Sequence, residues 1–254
     1  MYIQRLSWAG LQVTVGATSV FIDPIGTTVA NNLGQPDVPL VAQVPSRFAL
    51  LTHAHPDHYD PVALQAILGN QGRVISHQSI TGLVAKPGLH VQGVQLYEPV
   101  LLEWQTAELV ATAVPAVDGW GVSQVSWIVE GDGARIIHCG DTLWHGHWWD
   151  IARQYGPFDM AFLPINGVIY TRGRFIGSDI PATLTPEQAA TAAHLLGAKV
   201  VCPIHYGRIN DPQHYVETPD AEARFLAAVA QREGTVRLLA PGEELEIGTT
   251  VDNR

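Results

Sequence analysis

A dense group of histidines and aspartates follows a short apolar run near residue 50, and this group limits what the chain can fold into. The run at residues 48–51 has the length of a buried strand, and the next nine residues read Thr-His-Ala-His-Pro-Asp-His-Tyr-Asp. His53 and His55 alternate, so on an extended backbone they point to the same side, and Pro56 then ends the strand pairing. Such side chains are costly to place beside a core without a metal, and imidazole with carboxylate suits zinc, iron or manganese. We therefore predict a metal site at this strand end.

Composition and charge place the chain among ordinary globular proteins and argue against two classes of partner. The 254 residues are 46% hydrophobic and 15% charged, which suits one large domain or two small ones, and we assign residues 1–254 to a single domain. The formal net charge is −10 and lysine occurs only as Lys86 and Lys199, whereas a nucleic-acid-binding surface is basic. No apolar run approaches the length of a membrane span, and the amino terminus lacks a signal-peptide pattern. We therefore predict a cytoplasmic protein without a nucleic-acid or membrane partner.

The order of the predicted elements suits two sheets with helices outside them. Three short strands come first in the chain, at residues 2–6, 11–15 and 19–22. A long loop is predicted over residues 27–45, and residues 91–98 are predicted to begin a second sheet. A helix is predicted over residues 186–196, where Thr185 and Gln188 form a capping box. The order as a whole predicts an α/β (α+β) protein with four layers, in which two sheets lie back to back between helices.

Three stretches of the sequence together resemble the metallo-β-lactamase-fold hydrolases. They are His-x-His-x-Asp-His at residues 53–58, Gly-Asp-Thr at 140–142 and Pro-Ile-His-Tyr-Gly at 203–207. The last stretch, with Leu-Thr-Pro-Glu-Gln-Ala at 184–189, is most similar to the branch that includes L-ascorbate-6-phosphate lactonase. The resemblance covers nearly the whole chain. It implies the four-layer αββα sandwich of that fold and a centre of two metal ions, with zinc expected first and manganese or iron as alternatives.

The resemblance also implies roles for individual residues. The implied ligands are His53 and His55 for the first metal, Asp57, His58 and His205 for the second, and Asp141 as a bridge between the two. Asp23, which precedes Pro24, has two interpretations that both stay open. It either holds the free nitrogen of a ligand histidine or begins a turn.

This sequence departs from the family pattern at one ligand. The family usually carries a histidine in the segment that spans residues 112–121, where this chain has Asp118. A carboxylate oxygen binds zinc at a similar distance, and oxygen ligands shift the preference towards manganese or iron. We therefore predict Asp118 as the replacement ligand for the first metal, with His145 and His147 as the alternatives. The remaining histidines outside the motifs are predicted to be surface or structural residues: His77, His90, His194 and His214.

The predicted activity is hydrolysis of a small molecule by a metal-dependent enzyme. Two metals would activate a water for attack on an ester, lactone, amide or phosphodiester, and Asp57 is the predicted proton acceptor or relay. A metal-binding protein with lost or altered activity and a nuclease of the same fold remain the alternatives. A homo-oligomer is compatible with the sequence. The candidate substrate contacts are Trp120, Trp144, Tyr170, Arg172 and Tyr206, although a solvated loop is the simpler interpretation of Arg172.

Overall fold

The computed structural model describes residues 1–41, 44, 46–104, 107–170, 177–208 and 214–248. Within these residues the chain forms two seven-stranded sheets, a two-stranded sheet and six α-helices. None of the helices in the described part of the chain has both the length and the apolar character needed to cross a membrane.

The strands and helices follow one another along the chain in this order. In chain order the strands are β1 (Tyr2–Arg5), β2 (Leu11–Val15), β3 (Thr18–Ile22), β4 (Ser46–Leu51), β5 (Arg73–His77), β6 (His90–Val94), β7 (Pro99–Trp104), β8 (Ala107–Pro115), β9 (Val125–Gly131), β10 (Ala134–His138), β11 (Met160–Pro164), β12 (Ile169–Tyr170), β13 (Val200–Ile204), β14 (Tyr215–Val216), β15 (Thr235–Val236) and β16 (Glu244–Glu246). The helices are α1 (Thr27–Asn32), α2 (Pro61–Leu68), α3 (Thr81–Val84), α4 (Trp148–Tyr155), α5 (Pro186–Leu195) and α6 (Ala221–Ala230), and a 3-10 turn at Gln78–Ile80 precedes α3.

Both large sheets combine antiparallel and parallel strands. The first has the order β16-β1-β2-β3-β4-β5-β6, and its strands β3 to β6 run parallel to one another. The second has the order β15-β13-β11-β10-β9-β8-β7, and β10, β11, β13 and β15 are its parallel strands. Parallel neighbours place their carboxyl ends at the same edge of a sheet, which is where ligand sites form in sheets of this kind.

The main core lies between the two sheets. Val20 and Leu50 of the first sheet belong to the same buried cluster as Trp127, Ile136 and Phe162 of the second. These apolar side chains project from one face of each sheet, because residues two apart on a strand share a face. The sheets therefore pack face to face and form the two inner layers of the molecule.

Helices cover the outer face of each sheet. On the first sheet, Leu64 and Ile67 of α2 pack in one cluster with Phe21. On the second sheet, side chains of α4, α5 and α6 form another cluster, in which Phe225 of α6 packs with Ala161 of β11. The four-layer αββα sandwich that the sequence predicted is therefore confirmed.

Two predictions about individual elements are wrong. The predicted loop over residues 27–45 contains α1, a helix of only six residues that begins after Gly26 without a side-chain cap. It therefore has none of the start signals that reveal a helix in a sequence. The predicted first strand of the second sheet is β6, which pairs with β5 at the edge of the first sheet. Periodicity indicates that a segment is a strand, but it does not tell which sheet the strand joins.

Candidate metal centre

The candidate ligands lie in loops that follow strands of both sheets. His53 follows β4 in the first sheet, and Asp118, Asp141 and His205 follow β8, β10 and β13 in the second. Hydrogen bonds join the two sheets next to these loops. Trp127 Nε1 of β9 donates to the carbonyl oxygen of Leu51, and the N–H of Val125 donates to that of Thr52, both at 3.0 Å. The site is therefore assembled across the junction of the two sheets.

A first group of ligand atoms comes from both sheets. Atoms of four side chains lie within 4.8 Å of one another, and these are His53, His55, Asp118 and Asp141. His53 Nε2 is 3.5 Å from Asp141 Oδ2, and His55 Nδ1 is 3.6 Å from Asp118 Oδ1. Imidazole nitrogens and carboxylate oxygens in a compact set of four suit a divalent transition metal.

A second group of candidate ligand atoms lies beside the first, and Asp141 is close to atoms of both groups. Atoms of Asp57, His58 and His205 lie within 4.8 Å of one another. His205 Nε2 is 3.6 Å and His58 Nε2 is 3.9 Å from Asp57 Oδ2. Asp141 Oδ2 is also 3.9 Å from each of these two nitrogens. Asp141 therefore lies between the two groups, where a carboxylate would have to lie to bridge two metals.

Buried ligand atoms at this centre have no hydrogen-bond partner among the described residues. They are His53 Nε2, His58 Nε2, His205 Nε2, Asp118 Oδ1 and Asp141 Oδ1. A buried polar atom without a partner costs about 1–3 kcal/mol, so their convergence is costly unless a common partner satisfies them. Because lone pairs of nitrogen and oxygen are what divalent cations bind, the residues present fit a metal centre.

Asp23 and Thr52 fix the orientation of two imidazoles. Asp23 Oδ2 is 2.6 Å from Thr52 Oγ1 and 2.8 Å from His58 Nδ1, and Thr52 Oγ1 is 2.9 Å from His53 Nδ1. A carboxylate only accepts, so Thr52 and His58 both donate to it. Since the single hydroxyl proton of Thr52 is then used, His53 Nδ1 donates to Thr52. Each of the two imidazoles therefore has Nε2 as the nitrogen that faces the centre, and Asp23 holds the Nδ1 of a candidate ligand, as its first interpretation predicts. No sequence pattern indicates this role for Thr52.

Asp118 is held by its own loop. Its Oδ2 accepts the backbone N–H groups of Trp120 and Val122, each at 2.8 Å, and its Oδ1 remains beside His55. A Cβ on Gly119 would lie 2.3 Å from the carbonyl oxygen of Ala182, so only glycine allows the loop to pack this closely. The carboxylate therefore offers one oxygen to the first group and uses the other to shape the loop.

Gly140 allows a similarly close approach beside Asp141. Its φ is +61°, and a Cβ at this position would lie 2.7 Å from Gln124 Nε2 and 3.0 Å from Thr52 Oγ1. Backbone with positive φ is readily adopted only by glycine. A side chain here would push against the hydroxyl that orients His53.

Trp8 is a second residue that the sequence analysis missed. Its indole Nε1 donates to Asp57 Oδ2 at 3.1 Å, and its ring centroid lies 4.2 Å from that of His205. Trp8 is buried in the turn between β1 and β2, with a φ of +58°. An apolar residue in a short turn gives no sequence signal for a metal site, because its contacts are made with residues far away in the chain.

Arg5 connects that turn to the strand before His205. Its buried guanidinium donates to the carbonyl oxygens of Leu6, Trp8 and Pro203, the last at 3.0 Å. Burial lowers the pKa of Arg5. Backbone carbonyl groups therefore satisfy this charge, and they fix the turn of Trp8 against β13.

Burial and neighbouring charges set the protonation of the centre. Burial lowers the pKa of His53 well below its usual value and that of His205 to about 4. Burial also acts to lower the pKa of His58, but the carboxylates around it prevail and raise the pKa to about 9. Burial raises the pKa of Asp141 to about 7, whereas the neighbouring histidines hold the pKa of Asp57 well below its usual value against the effect of burial. His53 and His205 are thus neutral at pH 7, which is the form that binds a metal.

A cleft of about 710 Å³ opens onto both groups. Asp57, Asp141 and His205 lie in its wall, and most of its other lining residues are apolar or aromatic, among them Trp120, Leu143, Val168, Tyr170, Ile180 and Pro181. Two further lining residues, Arg208 and Tyr215, stack with the guanidinium 4.3 Å from the ring centroid. The cleft thus presents an apolar wall next to a strongly polar floor.

Only some of the predicted substrate contacts line this cleft. Trp120 and Tyr170 do, with their ring centroids 4.4 Å apart. Trp144 packs against Trp148 and Trp149, and the hydroxyl of Tyr206 donates to Glu222. Arg172 lies outside the described residues.

The histidines outside the motifs stay apart from the two groups. His145, the alternative to Asp118, stacks on Trp148 with ring centroids 4.1 Å apart and belongs to neither group. His147 and His194 are exposed. His77 and His90 play local roles, since His77 caps the 3-10 turn and His90 contacts the carbonyl oxygen of Asn70.

Comparisons with known proteins agree with this architecture. The family model described as the beta-lactamase superfamily domain matches residues 18–206. In sequence, the chain is 32% identical over 253 residues to a metal-dependent hydrolase of Thermus thermophilus, a match that covers 96% of this chain and 98% of the relative. In structure, it is similar to Igni18, a metallo hydrolase from Ignicoccus hospitalis, with a TM-score of 0.74 and 24% identity over 97% of this chain and 98% of that one. It is also similar to CmlA, a diiron beta-hydroxylase from Streptomyces venezuelae, with a TM-score of 0.70 and 17% identity over 97% of this chain and 54% of that one. Since the family model spans most of the chain and the Thermus relative is matched almost from end to end, the chain belongs to the β-lactamase superfamily.

Proposed function

We propose that the protein is a metal-dependent hydrolase with a centre of two divalent cations, zinc being the first expectation. The observation that carries this proposal is the convergence, in two adjacent groups beside one cleft, of five buried candidate ligand atoms that have no hydrogen-bond partner among the described residues. The name of the Thermus relative, a metal-dependent hydrolase, supports it. The oxygen-rich first group and the fold shared with CmlA make manganese and iron the alternatives to be tested.

Each part of the centre has a distinct proposed task. His53, His55 and Asp118 would hold one cation, Asp57, His58 and His205 the other, and Asp141 would bridge them. When bound, such cations lower the pKa of a water and polarise a substrate oxygen. Asp57 would accept or relay the proton of that water. Its side chain is 24% exposed in the cleft, and the neighbouring histidines hold its pKa low, so the carboxylate is ionised at neutral pH.

The proposed substrate is a small molecule with an apolar part, such as an ester or a lactone. The apolar wall of the cleft supports this, as does its volume of about 710 Å³, which suits a small ligand. The similarity of residues 203–207 to the lactonase branch makes a lactone the first compound to test. The net charge of −10 argues against a nucleic-acid substrate.

The decisive experiment measures metal content and hydrolysis on the same preparation. The purified protein is analysed for zinc, manganese and iron, stripped with a chelator, and reloaded with each metal. We expect about two equivalents of metal and metal-dependent hydrolysis of p-nitrophenyl acetate or a γ-lactone, with bis-p-nitrophenyl phosphate as the phosphodiester probe. Asp141→Asn is the matched variant, because it keeps the shape of the bridge and removes its charge.

The possible results separate the alternatives. Two tightly bound metals without hydrolysis of any probe would favour a metal-binding protein with lost or altered activity. Preferential cleavage of the phosphodiester and of DNA would favour a nuclease. Failure of the protein to bind any of the three metals would contradict the proposal altogether.

A further inference from the structure

Tyr215 occupies a position in the cleft that the proposed function leaves unexplained. It lies in β14, is 93% buried, and lines the same cleft as Asp57, Asp141 and His205. Its ring stacks beneath the guanidinium of Arg208. No sequence motif points to this residue, since it follows no apolar strand and belongs to no ligand pattern.

A chain of buried hydrogen bonds behind the cleft fixes the phenol oxygen of Tyr215. The N–H of Val168 donates to Thr183 Oγ1 at 3.2 Å, Thr183 Oγ1 donates to Asn166 Oδ1 at 2.5 Å, and Asn166 Nδ2 donates to Tyr215 Oη at 2.8 Å. The amide of Asn166 is oriented with its oxygen towards the Thr183 hydroxyl and its NH₂ group towards Tyr215 Oη.

The hydroxyl proton of Tyr215 is consequently free to point elsewhere. Because its oxygen accepts from Asn166, the O–H group must find another acceptor, and it has none among the described residues. Burial, together with Asp57 and Glu217, raises the pKa of Tyr215 well above its usual value, so the phenol stays protonated at neutral pH. The side chain is therefore a fixed neutral donor at the wall of the cleft.

We propose that Tyr215 is a catalytic residue whose hydroxyl donates a hydrogen bond to the substrate oxygen that gains negative charge during hydrolysis. The proposal rests on the proposed hydrolase function of the same cleft. A fixed donor stabilises developing charge well, because it does not have to reorient during the reaction. Arg208 strengthens this donor, since a cation over the ring withdraws electron density from the phenol. Asn166 is a positioning residue that acts through Tyr215.

The test compares Tyr215→Phe with the metal-loaded parent. This variant keeps the ring beneath Arg208 and removes only the hydroxyl. With p-nitrophenyl acetate or a γ-lactone we expect kcat to fall about 100-fold while KM stays within about threefold. Binding of inorganic phosphate, measured by calorimetry at pH 7 as a probe for a tetrahedral oxyanion, should weaken about tenfold. Tyr155→Phe is the control for loss of a phenol outside the cleft, and it should match the parent in both measurements.

Asn166→Asp tests the orientation of the proton. An aspartate at this position accepts from Tyr215, and it would draw the hydroxyl proton away from the cleft while leaving the phenol in place. We expect Asn166→Asp to reproduce the loss seen in Tyr215→Phe, and the double variant to be no worse than either. Metal content and the unfolding temperature of each variant show whether the fold and the centre are intact.

The phosphate measurement separates this proposal from the proposed function. If Tyr215→Phe weakens phosphate binding but the parent hydrolyses no probe, the role of Tyr215 as a donor stands and the hydrolase proposal fails. If Tyr215→Phe binds phosphate within about twofold of the parent and retains its kcat, Tyr215 is a lining residue and this proposal is wrong. Absence of phosphate binding to the metal-loaded parent would also overturn it, because two cations and a fixed donor should hold an oxyanion.

Discussion

The side chain of Asp118 is shorter than the histidine usual in the family, and its loop fixes where the carboxylate lies. Two backbone N–H groups, of Trp120 and Val122, hold one carboxylate oxygen, and Gly119 lets the loop press against Ala182. The other oxygen lies 3.6 Å from His55 Nδ1. At the scale of single residues, the loop thus fixes Asp118 beside His55, where it would serve as the ligand in place of the usual histidine.

Replacing Asp118 should separate its two roles. Asp118→Ala should lose the first metal and most activity, because it removes both the ligand and the anchor of the loop. Asp118→Asn should lose the metal but keep the loop, since an amide oxygen still accepts from the two N–H groups. Asp118→His should bind zinc more tightly, because neutral imidazole suits zinc well. Titration of the metal-free forms with Zn²⁺ by calorimetry measures all three. Two metals bound to Asp118→Ala as tightly as to the parent would show that Asp118 is not a ligand.

The hydroxyl of Thr52 gives a second test at this scale. Thr52→Val removes the group that fixes the protonation of His53 Nδ1, so metal affinity should fall about 10–100-fold. Thr52→Ser keeps a hydroxyl and should stay close to the parent. Competition with a chromogenic chelator reports the affinity. Equal affinities for the valine and serine variants would mean that Thr52 has no part in orienting the ligand.

At the scale of elements, the sequence predicted the features that local signals encode. It did not predict the features that depend on contacts between residues far apart in the chain. Helix α5 was predictable because Thr185 and Gln188 form the capping box that its first turn requires. The spacing of His53 and His55 likewise predicted a shared direction. The contribution of Trp8 could not be predicted, because it depends on contact between the turn after β1 and a loop that begins about 50 residues later. For the same reason, Tyr215 reads as an ordinary strand residue.

The cap of α5 should stabilise the fold without touching the metals. Thr185→Ala removes the side-chain acceptor for the N–H of Gln188, so the free energy of unfolding should fall by about 1 kcal/mol. Thr185→Ser is the control that preserves the cap. Urea denaturation measures the change, and metal analysis of the folded variants should give the same content. A loss of metal in Thr185→Ala would indicate that the helix also positions the centre.

At the scale of the whole molecule, the centre joins the two sheets. Its candidate ligands come from loops of both sheets, next to the hydrogen bonds that Trp127 and Val125 make to Leu51 and Thr52. In the absence of cations, the carboxylates Asp23, Asp57, Asp118 and Asp141 repel one another in a small volume. Cations bound at this place would therefore stabilise the native arrangement of the sheets and not only the loops.

Removal of metal should lower the unfolding temperature of the entire protein. Ligand binding to the native state alone stabilises by about 4 kcal/mol when the free ligand exceeds its Kd a thousandfold. Calorimetric scans of the metal-loaded and chelator-treated protein measure the difference. Asp141→Asn should show a much smaller difference between the two, because its bridge is impaired. Identical scans for the loaded and stripped parent would mean that the sheets pack equally well without the centre.

The contacts of Arg5 have a consequence for how the chain is made on the ribosome. Arg5 is synthesised long before one of its three carbonyl acceptors, on Pro203, which lies 198 positions further along. In the nascent chain water satisfies this guanidinium, which gains its native acceptor on Pro203 only after β13 has left the exit tunnel. His205 emerges only two residues after that acceptor. The second group of ligands becomes complete at the same stage. Assembly of the full candidate centre is thus a late event in biogenesis, and translation products that end before His205 lack it.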